Sequence, residues 1–381
     1  MYKELVELIK TIYRGQHPVP LHAPVFIGNE KKYLLNCIDS GYVSYLGEYV
    51  KKLEKQICEY TGSAYAIATV NGTCALQVAL EVAGVSRDDE VITQDLTFVA
   101  TANAILSCGA IPVFVDSDRD TLGMSPDKLE EFLATHCRVT DKGECLNIHS
   151  HRLIKACVPV HVFGHPAHID KIIDICRAYG IKVIEDAAES LGSFRNHQHT
   201  GTYGLMGVLS FNGNKIVTTG GGGMILTNDE ALANLARHIT TTAKVPHPWD
   251  FFHDRHGYNY RLNNVSAAIG CAQMENLPLF LERKRAVAAQ YQQFFSRYPE
   301  VSFFSEPENC YSNYWLNLIF VKNREERDKL LSYTHEQGIL TRPVWTLMHK
   351  LPMFSHCQTT NLDNAIDMEN RGINLPSSVP V

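Results

Sequence analysis

The chain has 381 residues, 45% of them hydrophobic and 20% charged, values that are ordinary for a globular protein with a large core. Its formal net charge of −6 argues against nucleic acid as the main partner, because no concentrated basic face is evident. No apolar run approaches the roughly 20 residues that cross a bilayer, so the sequence predicts no membrane partner.

Short apolar runs alternate with helical patterns between about residues 65 and 238. Strands are predicted at residues 64–70, 89–93, 111–115, 154–162, 181–185 and 207–211. Helices are predicted at residues 72–83, 97–108 and 169–179, and another starts at Ser125-Pro126, where a hydroxyl cap precedes a first-turn proline. This alternation predicts an α/β fold in which helices flank an open, mostly parallel sheet.

The polar stretch at residues 135–151 interrupts this alternation and predicts an inserted hairpin or loop. After about residue 242 the pattern changes. An aromatic, irregular segment at 246–253 is followed by a predicted helix at 264–277, another from about residue 279, and a compact α+β pattern.

We therefore expect three parts in the chain. Residues 26–243 would form a large domain, residues 244–381 a smaller C-terminal α+β domain, and residues 1–25 a segment packed against the smaller domain.

Several polar residues fall at or just after predicted strand ends, where ligands bind in open α/β sheets. Asp186 ends an apolar strand, and Lys215 follows another, before the glycine run 220–223. An amine that can form a Schiff base and a buried carboxylate for a ring nitrogen are the two protein groups that pyridoxal phosphate requires. The pair therefore indicates a site for this cofactor.

The phosphate and the ring of such a cofactor also need partners. Gly72 and Thr73 open a helix directly after a strand, where free N–H groups and the helix dipole attract phosphate. Ser210 can add a hydroxyl to the same phosphate, and Phe98 can lie flat on the ring.

Each residue alone has a simpler interpretation. Lys215 could be a solvated turn lysine, Asp186 a helix cap, Phe98 a core residue, and residues 220–223 a flexible linker. Only their common order on one α/β scaffold favours the cofactor site.

Other kinds of site are poorly supported. Neither a dinucleotide fingerprint nor a phosphate-binding P-loop motif occurs. Histidines and cysteines in the middle of the chain lack the spacing of a tetrahedral metal site, so no metal is expected; they are His149, His151, His165, His168, Cys145 and Cys157. Eleven cysteines without a CxxC pair, and a start unlike a signal peptide, indicate reduced thiols and a cytoplasmic location.

Nine motifs, read together, resemble the DegT/StrS-type family of pyridoxal-phosphate nucleotide-sugar aminotransferases, most closely its LegC-type branch. They are VNGT (70–73), DEVIT (89–93), TFVATAN (97–103), PVFVD (112–116), VHVFG (160–164), EDAA (185–188), SFNGNK (210–215), GYNYRL (257–262) and AAIG (267–270). The resemblance extends from about residue 20 to residue 378 and implies fold type I.

The resemblance also implies roles for individual residues. Lys215 would carry the cofactor, and Asp186 would face the pyridine nitrogen. Asn259 would reach the phosphate of the neighbouring subunit, so a homodimer is expected. Glu189 stands where the family usually has glutamine or histidine, and we expect it to share a proton or to meet the substrate. The residues expected to contact substrate are His253, Arg261 and the segment 341–345, which includes Arg342 and Trp345. Two interpretations of His161 stay open: a substrate contact, or a core histidine whose hydrogen bonds are satisfied.

The implied reaction moves an amino group from L-glutamate to the 4-keto carbon of a nucleotide-activated 4-keto-6-deoxy-N-acetylhexosamine, as in legionaminic acid or bacillosamine synthesis. Relatives that dehydrate sugars carry histidine in place of the lysine, so Lys215 favours transamination. Two alternatives stay open. One is the same chemistry on a C3 keto sugar or another nucleotide, and the other is a non-catalytic regulator on this fold.

Overall fold

The computed structural model describes residues 1–380. Within this range the chain forms eleven α-helices: α1 (Tyr2–Ile12), α2 (Glu30–Ser40), α3 (Glu48–Thr61), α4 (Gly72–Val82), α5 (Val99–Ser107), α6 (Pro126–His136), α7 (Ile169–Ala178), α8 (Glu230–Thr240), α9 (Asn264–Phe295), α10 (Arg324–Glu336) and α11 (Asp363–Arg371).

Sixteen strands accompany these helices in the same range. They are β1 (Tyr65–Thr69), β2 (Glu90–Gln94), β3 (Ile111–Val115), β4 (Cys137–Val139), β5 (Cys145–Asn147), β6 (Leu153–Val158), β7 (Lys182–Asp186), β8 (Phe194–Arg195), β9 (Gln198–His199), β10 (Met206–Ser210), β11 (Gly223–Thr227), β12 (Ser302–Phe303), β13 (Cys310–Tyr311), β14 (Asn317–Phe320), β15 (Arg342–Pro343) and β16 (Gly372–Leu375).

The main sheet has the strand order β1-β11-β10-β7-β6-β2-β3. Strands β10, β7, β6, β2 and β3 pair in parallel, and β11 is antiparallel to both β1 and β10. Strands β1, β2, β7 and β10 therefore point their carboxyl ends to one edge of the sheet, which confirms the predicted α/β fold with a mostly parallel sheet.

Local signals in the sequence explain why the helices begin where they do. Ser125 accepts a hydrogen bond from the Lys128 N–H at 3.3 Å, with Pro126 at the first helical position of α6. Asn71 caps α4 in the same way, because its Oδ1 accepts from the Cys74 N–H at 2.8 Å.

The predicted break between two helices at Pro278 is wrong, because α9 runs through this proline without interruption. A proline inside a helix removes one backbone hydrogen bond and costs about 3 kcal/mol. Buried residues on both sides, among them Leu277 and Phe280, belong to one hydrophobic cluster with the main sheet. This packing on both sides of Pro278 offsets the cost of the proline and keeps α9 helical through it.

The insertion at 135–151 is a hairpin, in which β4 pairs with β5 and β5 pairs with β6. A second sheet has the order β12-β14-β16-β15. Helix α1 packs beside it, because Leu5 and Ile9 share a hydrophobic cluster with Tyr291 and Ile319. The domain boundaries expected from the sequence stay a prediction.

None of the helices between residues 1 and 380 combines the length and the apolar character that crossing a membrane requires. All eleven cysteines are free thiols, and five of them are buried.

Candidate active site

A cavity of about 650 Å³ opens at the carboxyl edge of the main sheet. One side of it, here called the strand-end wall, carries residues that follow the main-sheet strands: Asn71, Gly72, Thr73, Phe98, Thr101, Asp186, Glu189, Ser210 and Lys215. The opposite side, the small-sheet wall, carries residues from the second sheet and the N-terminal segment: His22, Trp315, Arg342, Trp345 and Asn374. Seven predicted residues of the cofactor site and part of the predicted substrate segment 341–345 thus line one cavity.

Lys215 lies in the loop between β10 and β11, and its side chain is only 11% exposed. Its Nζ lies 3.3 Å from Glu189 Oε1 and 3.7 Å from the centre of the Trp315 ring. The amine is therefore held between a carboxylate and an aromatic face inside the cavity.

Asp186 is the last residue of β7 and is 4% exposed. Its Oδ2 accepts from the Thr101 hydroxyl at 2.7 Å, and its Oδ1 accepts from the Ala188 N–H at 3.1 Å. Burial raises the pKa of Asp186, although these two hydrogen bonds and the charge of Lys215 act in the opposite direction. A cationic ring nitrogen beside it would offset this cost of burial.

Glu189 is buried in the same cavity. Its Oε2 accepts from the Phe163 N–H at 2.8 Å, while its Oε1 faces Lys215. Burial raises the pKa of Glu189, and the positive charge of Lys215 counteracts part of this effect. An acid at this position therefore has a partner on each oxygen.

The start of α4 is built as an anion-binding turn. No carbonyl group within residues 1–380 accepts from the Gly72 and Thr73 N–H groups, so both are free for a ligand. A Cβ atom on Gly72 would lie 3.1 Å from the Ser210 Cβ, and one on Gly223 would lie 2.7 Å from the Gly72 nitrogen. The glycines let β10 and β11 approach this turn closely.

The residues present fit pyridoxal phosphate. Lys215 would hold its aldehyde carbon, Asp186 its ring nitrogen, and Gly72, Thr73 and Ser210 its phosphate. Phe98, which is 53% exposed at the mouth, would pack on the ring.

Sequence reasoning missed three residues of the small-sheet wall, His22, Trp315 and Asn374, and one residue of the strand-end wall, Thr101. Thr101 lies in the first turn of α5, and its Oγ1 lies 3.0 Å from that of Thr97, which precedes the helix. The chain has only three tryptophans, and two of them, Trp315 and Trp345, line the cavity. Their rarity was the available signal.

His161 and Arg261, two of the candidate substrate residues, do not line the cavity. His161 is fully buried; its Nδ1 accepts from the Ala167 N–H at 3.0 Å, and its Nε2 lies 3.0 Å from Glu185. Arg261 forms an ion pair with Glu54 at 2.6 Å. Both side chains therefore have structural partners within residues 1–380, although the Nη1 of Arg261 is buried without one.

His253 and Asn259 lie in the exposed segment after α8, and neither lines the cavity. His253 Nδ1 lies 2.8 Å from the Thr242 carbonyl oxygen. The proposed contact of Asn259 with a neighbouring subunit stays a prediction.

The mid-chain histidines have varied surroundings. His165 is buried against Phe304 and Tyr314, and burial lowers its pKa to about 3. Ligand atoms of His168, Asp118 and Asp120 come within 4.8 Å of one another. Asp118 Oδ1 already accepts from the Asp120 and Thr121 N–H groups, which is the pattern of an ordinary turn.

Comparison with known sequences agrees with this geometry. A sequence model of the DegT/DnrJ/EryC1/StrS aminotransferase family matches residues 26–381. A GDP-perosamine synthase from Escherichia coli O157:H7 is 37% identical over 359 residues, which cover 94% of this chain and 93% of that protein. EpsN from Bacillus subtilis (strain 168), described as a putative pyridoxal phosphate-dependent aminotransferase, is 38% identical over 94% of this chain and 90% of its own length.

The fold is also that of a solved relative. The crystal structure of a DegT DnrJ EryC1 StrS aminotransferase from Brucella abortus superimposes with a TM-score of 0.82 at 29% sequence identity. The match covers 92% of this chain and 90% of that one.

Proposed function

We propose that this chain, which belongs to the DegT/DnrJ/EryC1/StrS aminotransferase family, moves an amino group from L-glutamate to a nucleotide-linked 4-keto-6-deoxy sugar. The relatives named above are aminotransferases, and this chain is a pyridoxal-phosphate-dependent transaminase. The observation that carries the proposal is the meeting of Lys215 and Asp186 in one cavity at the carboxyl edge of the sheet.

When bound, the cofactor supplies an electron sink that stabilises a carbanion next to nitrogen. The chain's own residues supply binding and proton transfer. Lys215 Nζ can take up and return a proton inside the cavity, and Glu189 orients it from 3.3 Å. The indole of Trp315 covers the amine and keeps water from it. Asp186 contributes a fixed negative charge that Thr101 holds in place.

Two kinds of sugar are candidates for the amino-group acceptor. The likeness to the LegC-type branch favours an N-acetylated hexosamine, on the way to legionaminic acid or bacillosamine. The similarity to proteins named GDP-perosamine synthase favours a GDP-linked sugar instead. Because both walls of the cavity carry polar side chains, either sugar finds hydrogen-bond partners there.

The test is incubation of the purified enzyme with L-glutamate and a panel of UDP-, GDP- and dTDP-linked 4-keto and 3-keto sugars. NMR of the products identifies the sugar and the aminated carbon, and kcat/KM ranks the nucleotides. We expect one 4-amino sugar to dominate.

A wild-type protein that stays colourless with added pyridoxal phosphate would contradict the proposal and favour the non-catalytic regulator. A yellow protein that aminates only 3-keto sugars would contradict the assigned carbon while keeping the reaction class.

A homodimer is the proposed assembly. Large apolar side chains are exposed on α2 and the loop after it, such as Ile38 (67%) and Leu46 (67%), and on the segment after α8, such as Trp249 (80%) and Phe251 (78%). Tyr45 and residues 241–248 line one surface cavity, so the two groups are neighbours. Exposed apolar patches of this kind mark protein interfaces.

Mixing two inactive variants tests both the dimer and the role of Asn259. If Asn259 acts on the neighbouring subunit, Lys215→Ala and Asn259→Ala subunits together form heterodimers with one intact site. Random mixing would then restore about a quarter of the wild-type activity, because half of the dimers are mixed and half of their sites are intact. No recovery on mixing, with dimers shown by light scattering, would contradict the shared site.

A further inference from the structure

Lys284 on α9 is 1% exposed and lies behind the small-sheet wall, and none of its hydrogen-bond partners in residues 1–380 is a carboxylate. Three acceptors surround its Nζ instead: the Trp315 carbonyl oxygen at 3.2 Å, the Ser377 carbonyl oxygen, and His22 Nε2 at 3.0 Å. In its ammonium form Lys284 has three N–H bonds and no lone pair, so it satisfies all three acceptors at once, although burial lowers the pKa of this lysine.

This contact decides which nitrogen of His22 carries the proton. Burial and the positive charges of Lys284 and Lys215 lower the pKa of His22, which keeps the imidazole neutral near pH 7. A neutral imidazole has one N–H group. With Lys284 as the ammonium, Nε2 accepts from it, and the imidazole proton then lies on Nδ1.

His22 Nδ1 is buried and has no hydrogen-bond partner in the protein, and His22 lines the cavity beside Lys215. Asn374, which is 3% exposed and lies on the same wall, likewise has an unpartnered Oδ1. A buried polar atom without a partner is costly, and natural proteins rarely keep one without a ligand or water to pair with it.

We propose that His22 is a ligand-binding residue of this active site, and that its Nδ1–H donates to an anionic oxygen of a substrate. Lys284 is the positioning residue that fixes the imidazole and its tautomer. The positive charges of Lys215, Lys284 and Arg342 around this wall favour an anionic oxygen over a neutral one. That oxygen belongs to the carboxylate of the amino donor or to the phosphates of the nucleotide.

The inference rests on the proposed function for the identity of these ligands, but its test measures binding and not turnover. Calorimetry gives the dissociation constants of glutarate, an unreactive dicarboxylate, and of UDP and GDP for the holoenzyme. We expect His22→Ala to weaken one ligand class about tenfold and to leave the other within about twofold. The class that weakens identifies the source of the oxygen.

His22→Asn is the conservative variant, because its amide N–H can take the place of Nδ1–H, and it should restore part of the affinity. Tyr291→Phe is the matched control. Tyr291 also lies on α9 and donates to the Pro376 carbonyl oxygen at 2.9 Å, next to Ser377, but does not line the cavity. It should leave both ligand classes unaffected.

A double-mutant cycle tests the role of Lys284. We expect Lys284→Met to weaken the same ligand class as His22→Ala, and the double variant to bind no worse than His22→Ala alone. Nitrogen-15 NMR of labelled histidine should place the His22 proton on Nδ1 in the wild type and not in Lys284→Met.

Unchanged affinity of His22→Ala for both ligand classes would overturn the inference, and so would equal loss of both, or a wild type that binds neither. Failure of the proposed function looks different. The enzyme would then aminate no sugar of the panel, while His22→Ala would still weaken one ligand class.

Discussion

The two walls of the cavity are built in different ways. The strand-end wall comes from residues that follow neighbouring strands of one sheet, so the register of β1, β7 and β10 places Gly72, Asp186 and Ser210 together. The small-sheet wall brings together His22, Trp315 and Asn374, which are far apart in the sequence and meet only through packing.

The two walls also differ in the ligands that their polar groups can bind. The strand-end wall has the amine, the carboxylate and the free N–H groups that a resident cofactor needs. The small-sheet wall has unpartnered polar atoms that a transient ligand can satisfy. Variants on the first wall should therefore change cofactor retention and chemistry, whereas variants of His22, Arg342 and Asn374 on the second should change substrate affinity alone.

The largest effect is expected from Lys215→Ala. Without the amine the enzyme loses both its covalent hold on the cofactor and its proton carrier, so kcat should fall by about 10⁴-fold. The absorbance of the wild-type holoenzyme in the visible range should disappear as well. Lys55→Ala, on the exposed face of α3, serves as the control. A variant that kept near-normal kcat would remove Lys215 from the mechanism.

Gly72→Ala should weaken the cofactor next most strongly. Its new Cβ would meet the Ser210 Cβ at 3.1 Å and narrow the phosphate turn, so we expect the dissociation constant of pyridoxal phosphate to rise about tenfold. Gly221→Ala is the matched control, because its Cβ would find only the Val70 carbonyl oxygen, at 3.9 Å. Equal effects of the two substitutions would refute the turn as the phosphate site.

Much of the strand-end wall could be predicted from the sequence, because the carboxyl ends of parallel strands meet at one edge and Asp186 and Lys215 both follow apolar strands. The small-sheet wall could not, since periodicity does not show which side chains two separately formed sheets turn toward each other. Arg261 illustrates this limit of sequence-based prediction, because nothing in its local sequence indicates an ion pair with Glu54 on α3. Pro278 is the converse case, in which tertiary packing overrides a local signal.

Arg342→Met should change substrate affinity without changing cofactor binding. Arg342 lies at the exposed end of the small-sheet wall, where its guanidinium can meet an anionic substrate group. We expect KM for one anionic substrate to rise about tenfold, as for loss of a hydrogen bond to a charged group. Arg342→Lys keeps the positive charge and should restore part of the lost substrate affinity. If the affinity for pyridoxal phosphate fell instead, the division of tasks between the walls would be wrong.

The smallest expected effect is on protein stability. It shows whether burial or the ion pair with Lys215 has the larger influence on the pKa of Glu189. Burial raises the folded-state pKa of Glu189 above its unfolded value of about 4.3, so the folded protein binds more protons than the unfolded chain above that pH. The contribution of Glu189 to stability is therefore complete below about pH 4.3 and is lost as pH rises through the folded pKa.

Glu189→Gln removes this pH-dependent loss of stability, because the amide does not ionise. The melting temperature of the cofactor-free variant should exceed that of the wild type, and the difference should grow as pH rises above about 4.3. Glu59→Gln, at an exposed position on α3, controls for the general loss of one negative charge. A difference that shrank over the same range would mean that the attraction to Lys215 outweighs burial, and that this acid stabilises the strand-end wall before any cofactor is bound.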